Sequence, residues 1–154
     1  MGGARDRIMA STLVEPITVG TQTAPPSSNV VHFPSGLLGF EQRKKFALVG
    51  RTQEAPFLWL EAQDDSRLAF IVVAPKQVAP DYQPEFSDED TKFLGLNSSN
   101  DALVLSIVTL LGHGHATINL KGPLVINAQT RIGKQIEPVN ADDYSTEYPL
   151  LVAN

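Results

Sequence analysis

Residues 101–135 read DALVLSIVTLLGHGHATINLKGPLVINAQTRIGKQ, and adjoining runs of β-type pattern in this stretch decide the fold. Leu103 to Thr109 is rich in β-branched residues and places apolar side chains on both alternating faces, as expected of a strand covered on both sides. Ala116-Thr117-Ile118-Asn119-Leu120 alternates, with Ala116, Ile118 and Leu120 on one face and Thr117 and Asn119 on the other. Between these runs Gly112-His113-Gly114 supplies the positive-φ freedom of a tight turn, which predicts a hairpin. Gly122-Pro123 breaks the ladder, Leu124 to Asn127 starts a third strand, and a fourth follows from Arg131 to Ile136. Connections this short predict antiparallel neighbours, because a parallel return needs a crossover of roughly a dozen residues.

Working back from this centre, Val30 to Phe33 is a short strand stopped by Pro34-Ser35-Gly36. The apolar turn Leu37-Leu38-Gly39-Phe40 that follows predicts a loop folded back onto the core. Phe46 to Val49 reads as a strand ended by Gly50, and Phe57 to Glu61 with Leu68 to Val73 reads as a second hairpin around the polar turn Gln63-Asp64-Asp65-Ser66. Pro75 to Pro84 is a loop. One helix is expected after it: Ser87 caps the N–H of Asp90, Asp90 returns toward the cap, and Asp88, Glu89 and Asp90 sit where the helix dipole favours negative charge. Phe93, Leu94 and Leu96 should anchor this helix and Gly95 should end it. Ala141 to Leu150, polar, aromatic and proline-bearing, is expected as an ordered tail over the surface and not as a further core strand.

Short strands at regular spacing, one brief helix and no βαβ period predict an all-β domain: a small antiparallel β-barrel-like or sandwich domain with one short helix. Residues 30–150 are its single domain, 1–29 a flexible N-terminal extension in which 13–19 could form a strand, and 151–154 a C-terminal tail. At 154 residues roughly 70% of the unfolded surface can be buried, enough for a core without disulfides. The chain has no cysteine, which excludes thiolate chemistry and fits a reducing compartment, so a cytoplasmic location is expected. No stretch has the length of a membrane span and no membrane contact is expected. The net charge of −5 argues against direct nucleic-acid binding, which needs clustered Lys and Arg.

The residues offer no catalytic constellation. No nucleophile elbow surrounds Ser35, Ser145 or Thr146, and no glycine-rich phosphate loop precedes a helix. His113 and His115 have a spacing that some metal sites use, but a tetrahedral site needs a fuller set, which would have to come from His32 or a carboxylate. A turn decoration is the simpler reading, and no metal or cofactor is expected. Asp64 and Asp65 are explained by turn chemistry, and the acidic run from Asp81 to Asp90 by a capped, solvent-facing helix. Trp59 is expected in the core.

Longer motifs go further. Phe33-Pro34-x-Gly36-Leu37-x-Gly39-Phe40-Glu41, Pro56-Phe57-x-Trp59-Leu60 and Asp64-Asp65-x-x-Leu68-Ala69-Phe70 resemble the opening half of the FliW family of flagellar assembly factors. Pro80-Asp81-Tyr82, Ser87-Asp88-Glu89-Asp90, Pro123-Leu124-Val125-Ile126-Asn127-x-x-Thr130-Arg131-x-Gly133-x-Gln135 and Asp143-Tyr144-Ser145-Thr146-x-x-Pro149-Leu150 resemble its second half in the same order. The family usually carries proline where Leu38 and Ala128 stand here. The resemblance implies a small β-barrel-like protein that works by binding and is not an enzyme. Its implied partners are CsrA, an RNA-binding translational regulator whose sequestration relieves repression of flagellin translation, and flagellin itself. The chain is expected to be monomeric. The motif residues are mostly turn and core types, so the contact candidates are carboxylates expected on the surface: Asp64, Asp65, Asp88, Glu89 and Asp90. The competing reading is a small β-barrel enzyme or ligand-binding domain with its site at the barrel mouth.

Overall fold

The structure, a computed structural model, describes residues 29–151. The expected extension, including its strand pattern at 13–19, lies outside these residues apart from Asn29, as do the last three positions of the expected tail.

Strands β1 (Val30–His32), β2 (Lys45–Gly50), β3 (Leu58–Ala62) and β4 (Ala69–Val73) form an antiparallel meander. β4 then pairs with β5 (Ala102–Gly112), the long strand that the opening stretch predicts. β5 belongs to two ladders. Its second half pairs with β4 and with β6 (His115–Ile118), while its first half, Ala102 to Leu105, pairs with β7 (Leu124–Asn127). β8 (Gly133–Gln135) pairs with β7, and β9 (Tyr148–Leu151) pairs with β6. The sheet does not close into a barrel. Between β1 and the approach to β8 there is a single bridge, His32 to Ile132, in place of a ladder.

Two expectations are corrected here. β6 and β7 are not neighbours, although only five residues separate them. The Asn119 side chain accepts hydrogen bonds from the N–H groups of Lys121 and Gly122, both at 2.9 Å, and this local turn lets the chain continue along β5 instead of folding back. The segment 141–150 is not a surface tail: β9 adds to the sheet through Leu151, and Tyr144 packs edge-on against buried Tyr82 at 4.6 Å. Each aromatic there finds an apolar wall, which is why a polar-looking segment becomes a strand.

Alternation along β5 distributes the core. Leu103, Leu105 and Ile107 face the cluster of Phe33, Phe46, Leu60 and Leu124, while Ala102 and Val104 face Leu94, Val125 and Ile136. Val108 faces a further cluster with Val73, Tyr82 and Ile118. Trp59 is buried as expected, and its indole N–H donates to Glu54 at 3.1 Å. Ser106 pairs with Val73 of β4, is fully buried, and its hydroxyl has no hydrogen-bond partner among the described residues. An unpartnered buried hydroxyl carries a desolvation cost of about 1–3 kcal/mol. Ser106→Ala should therefore leave stability unchanged or raise it by about 1 kcal/mol in urea denaturation. A loss larger than that would show that the hydroxyl is engaged.

The one α-helix among the described residues, α1 (Asp88–Leu94), starts and stops as expected. Ser87 Oγ accepts from the Asp90 N–H at 3.1 Å, and Gly95 ends the helix with φ of 69°. Two details differ. Asp90 does not return to the cap, and Phe93 is not an anchor: it is 48% exposed, with the Lys134 ammonium 5.3 Å from its ring centre. Leu94 alone of the expected anchors is fully inside, with Leu96 packed beside it. No helix among the described residues is long and apolar enough to cross a membrane.

Candidate functional site

The five candidate carboxylates fall into two groups, at the β3–β4 turn and at the start of α1, and no hydrogen bond or ion pair among the described residues joins them. In the turn, Arg43 reaches Asp64 at 3.7 Å and Asp65 at 3.5 Å. Asp65 also accepts the Arg67 backbone N–H at 3.1 Å, which closes the turn. That N–H, and after it the charges of Arg67 and Arg43, hold the Asp65 carboxyl below its ordinary pKa. The resulting contribution to stability is in place above the ordinary carboxylate pKa and is lost as pH falls through the lowered one. Asp64, with 58% of its side chain exposed, is the solvent-facing member of the pair.

At α1, Asp88 and Glu89 are exposed. Asp90 is not: only 16% of its side chain is accessible, and it receives the Lys134 ammonium at 2.6 Å. Of the five, therefore, Asp88 and Glu89 carry surface charge with no ion pair among the described residues, Asp64 is exposed but shares Arg43, and Asp65 and Asp90 fasten the fold. An Asp in the first helical turn is equally consistent with dipole stabilisation and with a tertiary ion pair, so Asp90 could not be separated from its neighbours by spacing.

Apolar surface is the feature that sequence reasoning missed. Within the turn expected to fold onto the core, Leu37 does so, but Leu38 is 79% exposed. Its backbone N–H is held by Gln135 Oε1 at 2.8 Å, while Gln135 Nε2 donates to the Gly122 carbonyl at 3.0 Å. One motif glutamine thus ties the 36–39 loop to the 119–123 turn and aims Leu38 outward. The available signal was the glycine on either side of Leu37-Leu38, which lets consecutive side chains diverge.

The histidines do not assemble. His113 is the first central residue of the β5–β6 turn, with φ of 57°, and His115 and His32 lie exposed on different strands. Among the described residues no group of three or more His, Asp or Glu side chains is placed to hold a metal ion. The Tyr82 hydroxyl is strongly altered: burial pushes its pKa up, helped by the neighbouring Tyr144, and its proton is donated to the Leu120 carbonyl at 2.7 Å. That bond anchors the 75–84 loop and serves no evident chemistry.

The motif residues thus hold turns and core together, and they do so along the whole domain. Residues 15–150 match the family model described as FliW protein. The chain belongs to the FliW family. A flagellar assembly factor FliW from Natranaerobius thermophilus is 37% identical over 123 residues, which cover 79% of this chain and 81% of that protein. One from Leptospira interrogans is 40% identical over 108 residues, 69% of this chain and 72% of that protein. The crystal structure of a flagellar assembly factor FliW superposes with a TM-score of 0.71 at 25% identity, covering 94% of this chain and 93% of that one. In this FliW-family chain the predicted all-β architecture with one helix is therefore shown by both its own strands and its structural relative.

Proposed function

We propose that this chain is a flagellar assembly factor that acts in the cytoplasm by holding partner proteins and not by catalysis: it binds the translational regulator CsrA, relieving repression of flagellin translation, and it binds flagellin in competition. The observation that carries the reading is family membership across the whole domain, residues 15–150. Two features support it. The interior where a barrel-mouth site would lie is filled by Phe33, Phe46, Leu60, Leu105 and Leu124, all fully buried. The surface offers unpaired acidic charge at Asp88 and Glu89 and an outward apolar side chain at Leu38.

Competition requires overlapping sites or two sites coupled unfavourably, and the penalty must be reciprocal. If flagellin weakens regulator binding tenfold, about 1.4 kcal/mol, the regulator must weaken flagellin binding by the same factor. Calorimetric titration in both orders measures both numbers. Asp88→Lys with Glu89→Lys should weaken regulator binding and flatten its salt dependence, with the fold intact, because exposed rim charges act through long-range attraction. A folded double variant with unchanged affinity and salt slope would take the helix out of the interface. Failure of the wild-type chain to bind either partner at high micromolar concentration would overturn the function itself.

A further inference from the structure

The β4–β5 ladder stops early for a reason that can be read from its register. Ile71, Val72 and Val73 pair with Val108, Ile107 and Ser106, and two residues further along that register Pro75 stands opposite Val104. Proline has no N–H to donate to the Val104 carbonyl, and the chain turns away there into a short 3-10 helix, Pro75–Gln77. On the other side of β5, the Ala128 N–H donates to the Asp101 carbonyl at 2.8 Å. This sets the phase of the β5–β7 ladder: Leu103 and Leu105 turn their backbone groups to β7, and Ala102 and Val104 turn theirs toward the space that β4 has left. That space is a groove of about 740 Å³ whose walls include Pro75, Tyr82, Phe86, Leu96 and Val104. Lys76 stands in its lining, exposed and without an ion pair among the described residues.

We infer that this groove is a slot for strand addition, and that its occupant is an extended segment of a partner protein that is apolar at alternate positions and carries a carboxylate opposite Lys76. Main-chain hydrogen bonds to Ala102 and Val104 supply the register, the apolar wall takes one face of the added strand, and the lysine selects for acidic over basic segments. The inference does not depend on which proteins the chain binds in flagellar assembly.

The test uses the full chain and two blocked hexapeptides of alternating valine and threonine, one ending in aspartate and the other in lysine. The aspartate peptide, titrated to about 1 mM, should slow amide exchange at Val104 at least tenfold. It should bind Lys76→Glu at least tenfold more weakly, and the lysine peptide should reverse that preference. Val104→Pro, which removes an N–H that β7 does not use, should abolish binding of both. Three results overturn the proposal: exchange at Val104 unaffected by saturating peptide, equal binding of both peptides to the wild type and to Lys76→Glu, or a Val104 amide already protected without peptide. The last would mean that another part of this chain fills the slot.

Discussion

Phe33→Ala should lower unfolding stability by about 3–5 kcal/mol, the range for truncating a fully buried phenylalanine. Phe33 sits in the first motif of the chain and is completely enclosed. Its ring meets Phe46 edge-on at 5.8 Å. Gly133, on β8, is kept bare by the same ring: a Cβ there would come within 2.7 Å of Phe33 Cε1 and 2.9 Å of Ile126 Cγ1. Removing the ring therefore leaves a cavity between two strands that the backbone cannot close, because the Phe33 N–H is bound to the Lys44 carbonyl at 2.7 Å and its own carbonyl to Gly36. For a domain of this size the loss corresponds to a fall in Tm on the order of 10 °C. Phe93→Ala is the matched control. Its ring is half exposed, with the Lys134 ammonium 5.3 Å from its centre, so the change should stay within about 1 kcal/mol. Urea midpoints for the two variants measure the contrast, and similar losses would refute the assignment of Phe33 as a core residue distinct from Phe93.

Asn127→Ala should cost about 2–4 kcal/mol, because one buried amide satisfies groups in separate elements. Its nitrogen donates to the Leu94 carbonyl at 2.8 Å, at the C-terminal end of α1. Its oxygen accepts from the N–H groups of Gln129 at 2.8 Å and Thr130 at 3.1 Å, building the turn from β7 toward β8. Alanine leaves these groups unpaired where water does not easily reach. Asn127→Asp separates the two roles. It keeps an acceptor for the turn but sets a carboxylate against the helix carbonyl, so it should destabilise at neutral pH and recover as pH falls and the carboxyl protonates. Amide exchange should quicken along α1 in both variants. If exchange in α1 is unchanged in Asn127→Ala, the side chain does not hold the helix, and the acidic surface at Asp88 and Glu89 does not depend on it.

What was legible follows the range of the interactions. The β5–β6 hairpin, the Ser87 cap and the Gly95 stop are encoded within a few residues, and all are present. The exposure of Asp64, Asp88 and Glu89 is legible for the same reason, since turns and helix starts favour acids locally. Asp65 and Asp90 are different: their partners Arg43 and Lys134 lie 22 and 44 residues away, and nothing near either aspartate signals them. Leu38 and Phe93 read as buried from sequence and are exposed in the fold, because apolar character predicts burial only on average.

The sequence by itself determined that this chain is all-β with one capped helix, where most of its strands run, and, through the order of its motifs, the FliW family to which it belongs. Only the tertiary structure decided that β5 is shared between two ladders, that Tyr148–Leu151 is a strand, that Asp90 is tied to Lys134, and that β4 ends at Val73, before Pro75 could pair with Val104. The division has a physical cause. Strand pattern, turn residues and caps depend on neighbours along the chain, whereas choice of strand partner, ion pairing and the point where a ladder ends depend on which distant segments the packed core brings together.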